Sequence, residues 1–253
     1  MKAIVLAAGK GSRLGQYTDI TPKPFLPLGG KKIIHYVLDN LSTAAQLKEV
    51  HVALSPRDYE HVSQRVNLNG YPMKVEMMPA LGWETGGDLK STAYMAGVNG
   101  TFIVCFGDNV THIDVGALLD FHKKMGRLAT VALFNVTDAE RSRMGIARVS
   151  DGVVTEWKEK PAAHEVVGSN LANAGYYVFE PSVLDAIPYG KHKTEVSVLP
   201  KLVEQGQLAG FLFKTPYWFD IGTPESYEQA TRMILEQKGV IAPTSKANGG
   251  AAA

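Results

Sequence analysis

A glycine-rich, basic loop directly follows an apolar run near the start of the chain. The run Ile4–Ala8 is typical of a buried strand, and the loop behind it carries Gly9 and Gly11 together with the cations Lys10 and Arg13. Glycines let backbone N–H groups approach an anion closely, and the basic side chains supply positive charge. This combination predicts a cradle for phosphate groups.

The loop matches neither of the two common phosphate-binding motifs. A P-loop requires a lysine and a hydroxyl residue directly after its second glycine, whereas Gly11 is followed by Ser12 and Arg13. The dinucleotide-binding motif requires a third glycine where this chain has Leu14. The loop is therefore interpreted as a triphosphate cradle of another type, and the alternative is a glycine-rich turn with solvated lysines.

A lysine between two prolines favours the phosphate interpretation. Proline fixes its own φ and pushes the preceding residue away from helical geometry, so Pro22 and Pro24 restrict the backbone on both sides of Lys23. A side chain held in this way is poorly explained as a solubilising charge. Lys23 is expected to act in the same site as Arg13.

Strand-like and helix-like runs alternate through the first half of the chain. Their order is KAIVLAAG, IIHYVLDNLSTA, EVHVALS, RDYEHVSQRVN, MKVEMM, GGDLKSTAYMAGV and TFIVCFGD. This alternation predicts βαβ units and a mainly parallel sheet, whose ligands bind beyond the carboxyl ends of the strands. The glycine loop and the turn Gly107–Asn109 both follow such strand ends, so both are expected to lie at the site.

From about Leu128 the pattern changes to strands joined by turns. Asp151 and Gly152 lie between strand-forming residues and predict a tight hairpin, because these residue types accept a positive φ. A helix is predicted from Pro224 to Gln237, with Thr223 as its N-cap. The second region is expected to add strands to the same sheet and to form the other wall of a cleft.

The composition is that of an ordinary globular protein. Hydrophobic residues make up 45% of the chain, charged residues 20%, and the formal net charge is +1, which argues against a nucleic-acid-coating protein. Cys105 is the only cysteine, which excludes an intrachain disulfide and a thiolate metal cluster. No run approaches the roughly 20 apolar residues of a membrane span. We therefore expect a cytoplasmic protein with neither nucleic-acid nor membrane partners.

The glycine loop is the first of a series of motifs that resembles the nucleotide-sugar pyrophosphorylases, or sugar-1-phosphate nucleotidylyltransferases. Their usual signature is G-x-G-[ST]-R-[LM] followed by P-K-P, and this chain has LAAGKGSRL and TPKPFLPL. Further matches, in the family's order, are Glu84–Gly87, Gly107–Asn109, Glu159–Pro161, Asn173–Gly175 and Trp218–Pro224. The resemblance covers nearly the whole chain.

The resemblance implies an α/β protein with the Rossmann-like nucleotidyltransferase fold. Its mainly parallel mixed sheet would be flanked by helices, with an added sugar-binding β region. We expect a single domain over residues 1–240, followed by a flexible tail at 241–253. Within the domain, about 1–127 would form the nucleotide-binding part, about 128–223 the sugar-binding part, and 224–238 a C-terminal helix.

The resemblance also implies roles for residues at the matching positions. Arg13 and Lys23 are the expected catalytic cations, with Lys23 at the α-phosphate and Arg13 at the phosphates that leave. The expected nucleotide-binding residues are Leu6, Ala8, Gly9, Gly11, Ser12, Thr85 and Gly86. The expected sugar-phosphate-binding residues are Gly145, Glu159, Lys160 and Asn173. Asp108 and Asp220 are expected to hold Mg²⁺, a hard cation suited to carboxylate and phosphate oxygens.

Several of these residues also have simpler interpretations. Asp108 follows a strand, where aspartate commonly makes side-chain-to-backbone bonds in a turn. Asp220 precedes a helix N-terminus, where the helix dipole favours negative charge. Glu159 and Lys160 lie in the charged run EWKEKP and could form a solvated pair.

The reaction implied is transfer of a nucleotidyl group from a nucleoside triphosphate to a sugar 1-phosphate, with a homo-oligomer possible. EMMPALGWETGG lacks the glutamine that uridine- and thymidine-reading subfamilies often carry. Its ETGG resembles N-acetylmuramate-1-phosphate uridylyltransferases and some heptose-1-phosphate guanylyltransferases, and WFDIGTPESY is closer to mannose- and heptose-1-phosphate guanylyltransferases. These cues lean towards GTP with a mannose- or heptose-type sugar phosphate, then UTP.

Two alternatives to this reaction remain open. One is a cytidylyltransferase for a non-sugar phosphate such as phosphocholine. The other is a non-catalytic regulatory subunit that binds nucleotide sugars. Such paralogues usually lose the arginine, lysine or metal carboxylates, whereas Arg13, Lys23, Asp108 and Asp220 are all present here.

Overall fold

A computed structural model describes residues 1–162, 165 and 168–240. Within this part of the chain, thirteen strands form one large sheet and two small ones. The strands are β1 Lys2–Leu6, β2 Pro27–Leu28, β3 Lys31–Lys32, β4 Glu49–Leu54, β5 Lys74–Pro79, β6 Phe102–Phe106, β7 Asn109–Thr111, β8 Ala129–Asn135, β9 Gly145–Ser150, β10 Val153–Glu159, β11 Leu171–Phe179, β12 Leu208–Leu212 and β13 Trp218–Asp220.

Helices connect and flank these strands. The α-helices are α1 Ile33–Leu41, α2 Pro56–Val62, α3 Glu84–Met95, α4 Val115–Met125, α5 Val183–Ala186, α6 Thr194–Ser197, α7 Leu199–Glu204 and α8 Pro224–Gln237. Short 3₁₀ helices span Ser12–Thr18, Lys23–Phe25 and Asp138–Arg143. Among the described helices, none combines the length and apolar character needed to cross a bilayer.

The large sheet has nine strands in the order β5-β4-β1-β6-β11-β8-β12-β10-β9. Strands β5, β4, β1 and β6 are parallel to one another, as the alternating pattern of the first half predicts. Their carboxyl ends therefore lie along one edge of the sheet, which is where α/β proteins bind ligands. The α/β class with a mixed sheet and flanking helices is confirmed.

Antiparallel pairing prevails in the added β region. Strand β11 runs antiparallel to β6, β8 and β9, and β10 runs antiparallel to β9 and β12, while β12 is parallel to β8. Hairpins can join antiparallel neighbours directly, which suits the short turns in this part of the sequence. Because β9 also pairs with the start of β11, it brings Gly145 close to Asn173.

Two local predictions agree with the structure, and one strand boundary does not. The hairpin between β9 and β10 turns at Asp151 and Gly152, with φ of 49° and 78°. The hydroxyl of Thr223 caps α8 by accepting a hydrogen bond from the Ser226 N–H. The buried strand predicted through Ala8 ends at Leu6, because the chain leaves the sheet there to form the glycine loop.

Apolar side chains pack against both faces of the sheet. In β1, Ala3 and Val5 face one core and Ile4 the other, which is why the whole strand reads as an apolar run. Cys105 is fully buried in the first of these cores, where burial raises the pKa of its thiol, as expected for a packed thiol.

The large sheet contains strands from both the expected nucleotide-binding part and the expected sugar-binding part. The boundary between these two parts stays a prediction. The expected tail at 241–253 lies outside the described residues.

The chain makes a close backbone approach at Gly175, within a bulge of β11. The register of β11 against β8 shifts between Asn173 and Tyr177, and Gly175 has a φ of 74°. Its Cα hydrogen faces the side-chain amide of Asn109, which donates a hydrogen bond to the Ala174 carbonyl at 2.9 Å. Only glycine fits here, because any Cβ would overlap that amide.

We expect Gly175→Ala to lower the free energy of unfolding by about 2–5 kcal/mol. This sum combines the cost of a left-handed backbone with that of overpacking. Denaturant unfolding would measure the change. Gly100→Ala is the matched control, since nothing lies within 4 Å of a Cβ at Gly100. Equal stabilities of the two variants would contradict the prediction.

Candidate active site

A pocket of about 250 Å³ opens at the carboxyl end of β1. The residues that line it are Leu6, Ala7, Gly9, Lys10, Gly11, Ser12, Arg13, Lys23, Pro24, Asp108 and Gly222. The glycine loop, the proline-flanked lysine and the Gly107–Asn109 turn therefore meet in one cavity. Of the predicted nucleotide-binding residues, Ala8, Thr85 and Gly86 do not line it.

At this pocket, Lys23 lies between the two carboxylates that were expected to hold a metal. Its Nζ is 2.5 Å from Oδ2 of Asp108 and 3.5 Å from Oδ1 of Asp220. The side chain of Lys23 is 9% exposed, whereas those of Asp108 and Asp220 are 32% and 39% exposed. The buried ammonium is thus paired with two carboxylates that both remain accessible to solvent.

The pairing of two short strands brings Asp108 and Asp220 together. Strand β7 follows Asp108 directly and runs antiparallel to β13, with Asn109 opposite Asp220. The N–H of Ile221 also donates to the carbonyl of Asp108 at 3.3 Å. Sequence motifs that lie far apart in the chain therefore form one site.

The carboxylates of Asp108 and Asp220 stabilise the charged form of Lys23. Burial by itself lowers the pKa of an ammonium group, but the charges of Asp108 and Asp220 outweigh it, and the net effect raises the pKa of Lys23 above its usual value. The side chain is therefore a fixed cation at neutral pH. Because the 3₁₀ turn Lys23–Phe25 follows Pro22, its backbone is also restrained.

Arg13 reaches the same pocket from the glycine loop. Its Nη2 would lie 3.0 Å from a Cβ built on Gly222, and the carboxylate of Asp220 would lie 3.2 Å from that Cβ. Both Arg13 and Lys10 are exposed, so their charges face the open cavity. The pocket thus presents backbone amides and three cations, a combination suited to a polyphosphate.

A third apolar cluster fixes the loops that carry these residues. It joins α8 to the glycine-loop segment and to β7 and β13. Its buried members are Leu14, Leu26, Leu28, Ile33, Tyr36, Val110, Phe219, Ile221, Ala230 and Ile234. The C-terminal helix therefore contributes to the site by packing, since it holds the segments around Lys23 and Asp220 against each other.

The predicted sugar-phosphate residues form a second group at the ends of β9, β10 and β11. Gly145 lies opposite Glu159 in the β9–β10 pair, and a Cβ on Gly145 would be 2.7 Å from Oε2 of Glu159. That oxygen is buried and has no hydrogen-bond partner within the described part of the chain. Burial, and then the charge of Glu195, raises the pKa of Glu159. Such an acceptor fits the hydroxyl groups of a ligand.

Asn173 belongs to this second group and is fixed by two hydrogen bonds. Its Nδ2 donates to the Tyr177 hydroxyl at 2.6 Å, and its Oδ1 accepts from the Gly175 N–H at 2.9 Å. Lys160 follows Glu159 at the end of β10, is exposed, and has a φ of 48°. This positive φ is uncommon outside glycine and turns the chain away from the sheet.

Side-chain hydrogen bonds to one backbone carbonyl join the two groups. The carbonyl of Ala174, next to Asn173, accepts hydrogen bonds from Nδ2 of Asn109 at 2.9 Å and from Nε1 of Trp218 at 3.2 Å. Asn109 follows Asp108, and Trp218 lies in the strand that ends at Asp220. Asp108, Asp220 and the second group therefore lie on directly bonded segments of the chain.

Two predicted nucleotide-binding residues, Thr85 and Gly86, contact a different segment. The Thr85 hydroxyl donates to Oε2 of Glu195 at 2.7 Å, and the Gly86 N–H donates to the His192 carbonyl at 3.0 Å. The N-terminus of α3 is therefore attached to the chain that leads into α6.

The structure adds two charged side chains to the second group that the motifs did not identify, Glu195 and Lys193. Glu195 is 6% exposed, and its charge contributes to raising the pKa values of Glu159 and Tyr177, after burial. Lys193 acts electrostatically on both glutamates. In the sequence, KHKTEV gives no signal that its glutamate is buried, so only the tertiary structure could find it.

Comparison with known proteins agrees with the resemblance in the sequence. Two similar proteins are a UTP–glucose-1-phosphate uridylyltransferase from Synechocystis sp., 30% identical over 252 residues, and a glucose-1-phosphate adenylyltransferase from Desulforamulus reducens, 32% identical over 258 residues. The alignments cover 94% and 92% of this chain but 64% and 63% of the relatives. The chain thus spans less than two thirds of their length.

A solved structure shares the fold. It is a crystal structure from Bacillus anthracis described as a glucose-1-phosphate thymidylyltransferase in complex with sucrose, and it superposes with a TM-score of 0.80 at 24% identity. The superposition covers 92% of this chain and 95% of that one. The family model for nucleotidyl transferases matches residues 2–237, and this chain therefore belongs to the nucleotidyl transferase family.

Proposed function

We propose that this chain transfers a nucleotidyl group from a nucleoside triphosphate to a sugar 1-phosphate and releases pyrophosphate. The observation that carries the proposal is the position of Lys23, a buried ammonium held by Asp108 and Asp220 at the glycine-loop pocket. The nucleotidyl transferase model and the names of the similar proteins support the same reaction class.

The chemistry needs no side-chain base. A phosphate monoester has a second pKa of about 6, so its oxygen is already largely deprotonated at neutral pH. That oxygen forms a bond to the α-phosphorus, while the bond from the α-phosphorus to the bridging oxygen of the β-phosphate breaks in line and the electron pair leaves with pyrophosphate. The main demands are bringing two anions together and stabilising charge on the leaving oxygens.

The residues of the pocket meet these demands. The backbone around Gly11 and Ser12 would hold the β- and γ-phosphates, and Arg13 would neutralise charge on the leaving pyrophosphate. Lys23 would contact the α-phosphate that undergoes substitution. Because these groups are already in place before the substrate arrives, they stabilise the transition state without reorganising.

The carboxylate pair fits a magnesium ion shared with the substrate. Mg²⁺ is usually bound by one or two carboxylates plus substrate phosphates, and Asp108 and Asp220 offer two accessible carboxylates that already surround one cation, the Lys23 ammonium. No group of three or more ligating side chains occurs among the described residues, so an all-protein cage is not the arrangement expected. When bound, the ion would neutralise phosphate oxygens during transfer.

The second group would bind the sugar phosphate. Glu159 offers an unpaired buried acceptor to sugar hydroxyls, and Gly145, which has no Cβ, allows this carboxylate to lie close to the backbone of β9. Asn173 would complete the pocket, and the exposed ammonium of Lys160 would pair with the sugar phosphate.

The sequence motifs and the similar proteins favour different bases and different sugars. The sequence leans towards GTP with a mannose- or heptose-type sugar phosphate, whereas the similar proteins are named for uridylyl and adenylyl transfer with glucose 1-phosphate. We propose GTP with these sugars as the first pair to test, and UTP or ATP with glucose 1-phosphate as the second.

A grid of substrates tests the function and assigns both partners. Pyrophosphate release would be followed with Mg²⁺ for GTP, UTP, CTP, dTTP and ATP against the 1-phosphates of glucose, mannose, N-acetylglucosamine, heptose and N-acetylmuramate. Phosphocholine is included as the non-sugar acceptor. Release with one triphosphate and one sugar phosphate is the expected result, and the double variant Asp108→Asn, Asp220→Asn controls for contaminating activity.

Two other outcomes would overturn the proposal. Release with phosphocholine alone would identify a cytidylyltransferase of the related type. If no substrate pair gives pyrophosphate release and calorimetry shows that the protein binds nucleotide sugars, the chain would be identified as a regulatory subunit.

A further inference from the structure

The side-chain hydroxyl of Thr85 and the backbone N–H of Gly86 are already engaged within the protein. The Thr85 hydroxyl donates its proton to Oε2 of Glu195 at 2.7 Å and accepts the Thr194 N–H at 3.1 Å, while the Gly86 N–H donates to the His192 carbonyl at 3.0 Å. A hydroxyl has one proton to give. These donors are therefore directed at the segment before and within α6, and a nucleotide base would have to compete for them.

The two glycines of this motif allow the segment to approach. A Cβ on Gly86 would lie 2.6 Å from the ring of His192, and one on Gly87 would lie 2.5 Å from the Gly190 carbonyl oxygen. The His192 N–H donates in return to the Trp83 carbonyl at 3.2 Å. We call residues 83–87 together with 190–195 the α3 clamp.

The clamp ends at a carboxylate beside the second group of the site. Glu195 is 6% exposed, and its backbone carbonyl accepts a hydrogen bond from Nε1 of Trp157 at 2.9 Å. Trp157 and Glu159 are two residues apart in β10 and so project to the same face of the sheet. The Trp157 bond therefore places Glu195 next to the strand that carries Glu159, and the electrostatic interaction of Glu195 with Glu159 and Tyr177 agrees with this position.

We propose that the Thr85 hydroxyl is a positioning group for the sugar side of the reaction: it orients the Glu195 carboxylate near the group around Glu159, and it is not itself a contact to the nucleotide. This inference rests on the proposed function. Thr85 fixes Glu195 through one short bond, and the Thr194 N–H fixes Thr85. The pair of glutamates then presents a defined arrangement of acceptors to a hydroxyl-rich ligand.

Two variants of Thr85 separate the sugar role from a nucleotide role. Thr85→Val keeps the shape and removes the hydroxyl, and Thr85→Ser keeps the hydroxyl. We expect Thr85→Val to raise KM for the sugar 1-phosphate by about 10- to 100-fold, the size of a lost hydrogen bond to a charged group, with KM for the triphosphate within about twofold. Thr85→Ser is expected to stay within about threefold of the wild type for both substrates.

Opposite results would overturn the inference. A rise in the triphosphate KM with an unchanged sugar-phosphate KM would make Thr85 a nucleotide contact. Equal impairment of Thr85→Ser and Thr85→Val would show that the hydroxyl is not the important group. If Thr85→Val does not fold, Glu195→Gln takes its place, and it is expected to raise the sugar-phosphate KM alone.

A second readout keeps this inference distinct from the proposed function. Amide hydrogen exchange of residues 190–197 is expected to accelerate in Thr85→Val and to stay at the wild-type rate in Thr85→Ser, because the segment loses its tie to α3 only in the first. A wild type without transfer activity would refute the proposed function even if exchange behaves in this way. Equal amide exchange rates in the wild type, Thr85→Val and Thr85→Ser would show that the Thr85 hydroxyl does not hold residues 190–197, whether or not the protein has transfer activity.

Discussion

Replacing Lys23 with alanine is expected to lower kcat by roughly 10²–10³, the size seen when one preorganised stabilising group is lost. The ammonium is buried, its charge is secured by Asp108 and Asp220, and Pro22 restrains its backbone. Its loss would remove a cation from the reacting phosphate and leave two carboxylates facing the incoming anion. Steady-state pyrophosphate release with the substrates found in the grid would measure the effect.

The control for this variant is a lysine outside the site. Lys124 is exposed on α4, so Lys124→Ala is expected to keep wild-type kcat. Circular dichroism would establish that both variants are folded. A folded Lys23→Ala protein with more than about a tenth of the wild-type kcat would remove Lys23 from the mechanism.

Asp220→Asn is expected to raise the Mg²⁺ concentration needed for half-maximal activity by about 10- to 100-fold, the range seen when groups that support a metal are altered. The substitution keeps the size of the side chain and removes the charge that attracts a divalent cation. KM for the sugar phosphate is expected to change little, since Asp220 pairs with Lys23 and does not belong to the group around Glu159. Direct binding of Mn²⁺, followed by electron paramagnetic resonance in the presence of the triphosphate, gives a readout independent of turnover.

Asp120→Asn is the matched control, because Asp120 is exposed on α4 and lies outside both groups. Metal titration curves that coincide for wild type, Asp220→Asn and Asp120→Asn would show that Asp220 is not a ligand. Asp220 would then be interpreted as an acidic residue placed before the N-terminus of α8.

The predicted site residues fall into groups that their sequence order does not show. Arg13, Lys23 and Asp108 share one pocket, with Asp220 at hydrogen-bond distance from Lys23. Gly145, Glu159 and Asn173 form the second group, as three strand ends converge there. Thr85 shares a motif with residues expected at the nucleotide, yet its hydroxyl is bonded to Glu195. A motif identifies a segment, and the packing of that segment decides which way each side chain points.

Local structure was determined by the sequence alone. The turn at Asp151 and Gly152, the Thr223 cap and the Pro22 restraint depend on the conformations that neighbouring residues can adopt, so composition and spacing are enough to predict them. The apolar runs likewise predicted strands with both faces buried, because hydrophobic burial follows the residue type.

Tertiary structure alone decided which distant residues meet. The pairing of β7 with β13 places Asp108 beside Asp220 and brings both to Lys23. The approach of residues 190–192 to Gly86 and Gly87 accompanies the bonds of Glu195 to Thr85 and to Trp157, which lies in the strand of Glu159. Such contacts depend on the free energy of the whole packed sheet and its helices, which no local pattern contains. The sequence therefore determined the chemical groups and their local geometry, and the tertiary structure determined which of them act together.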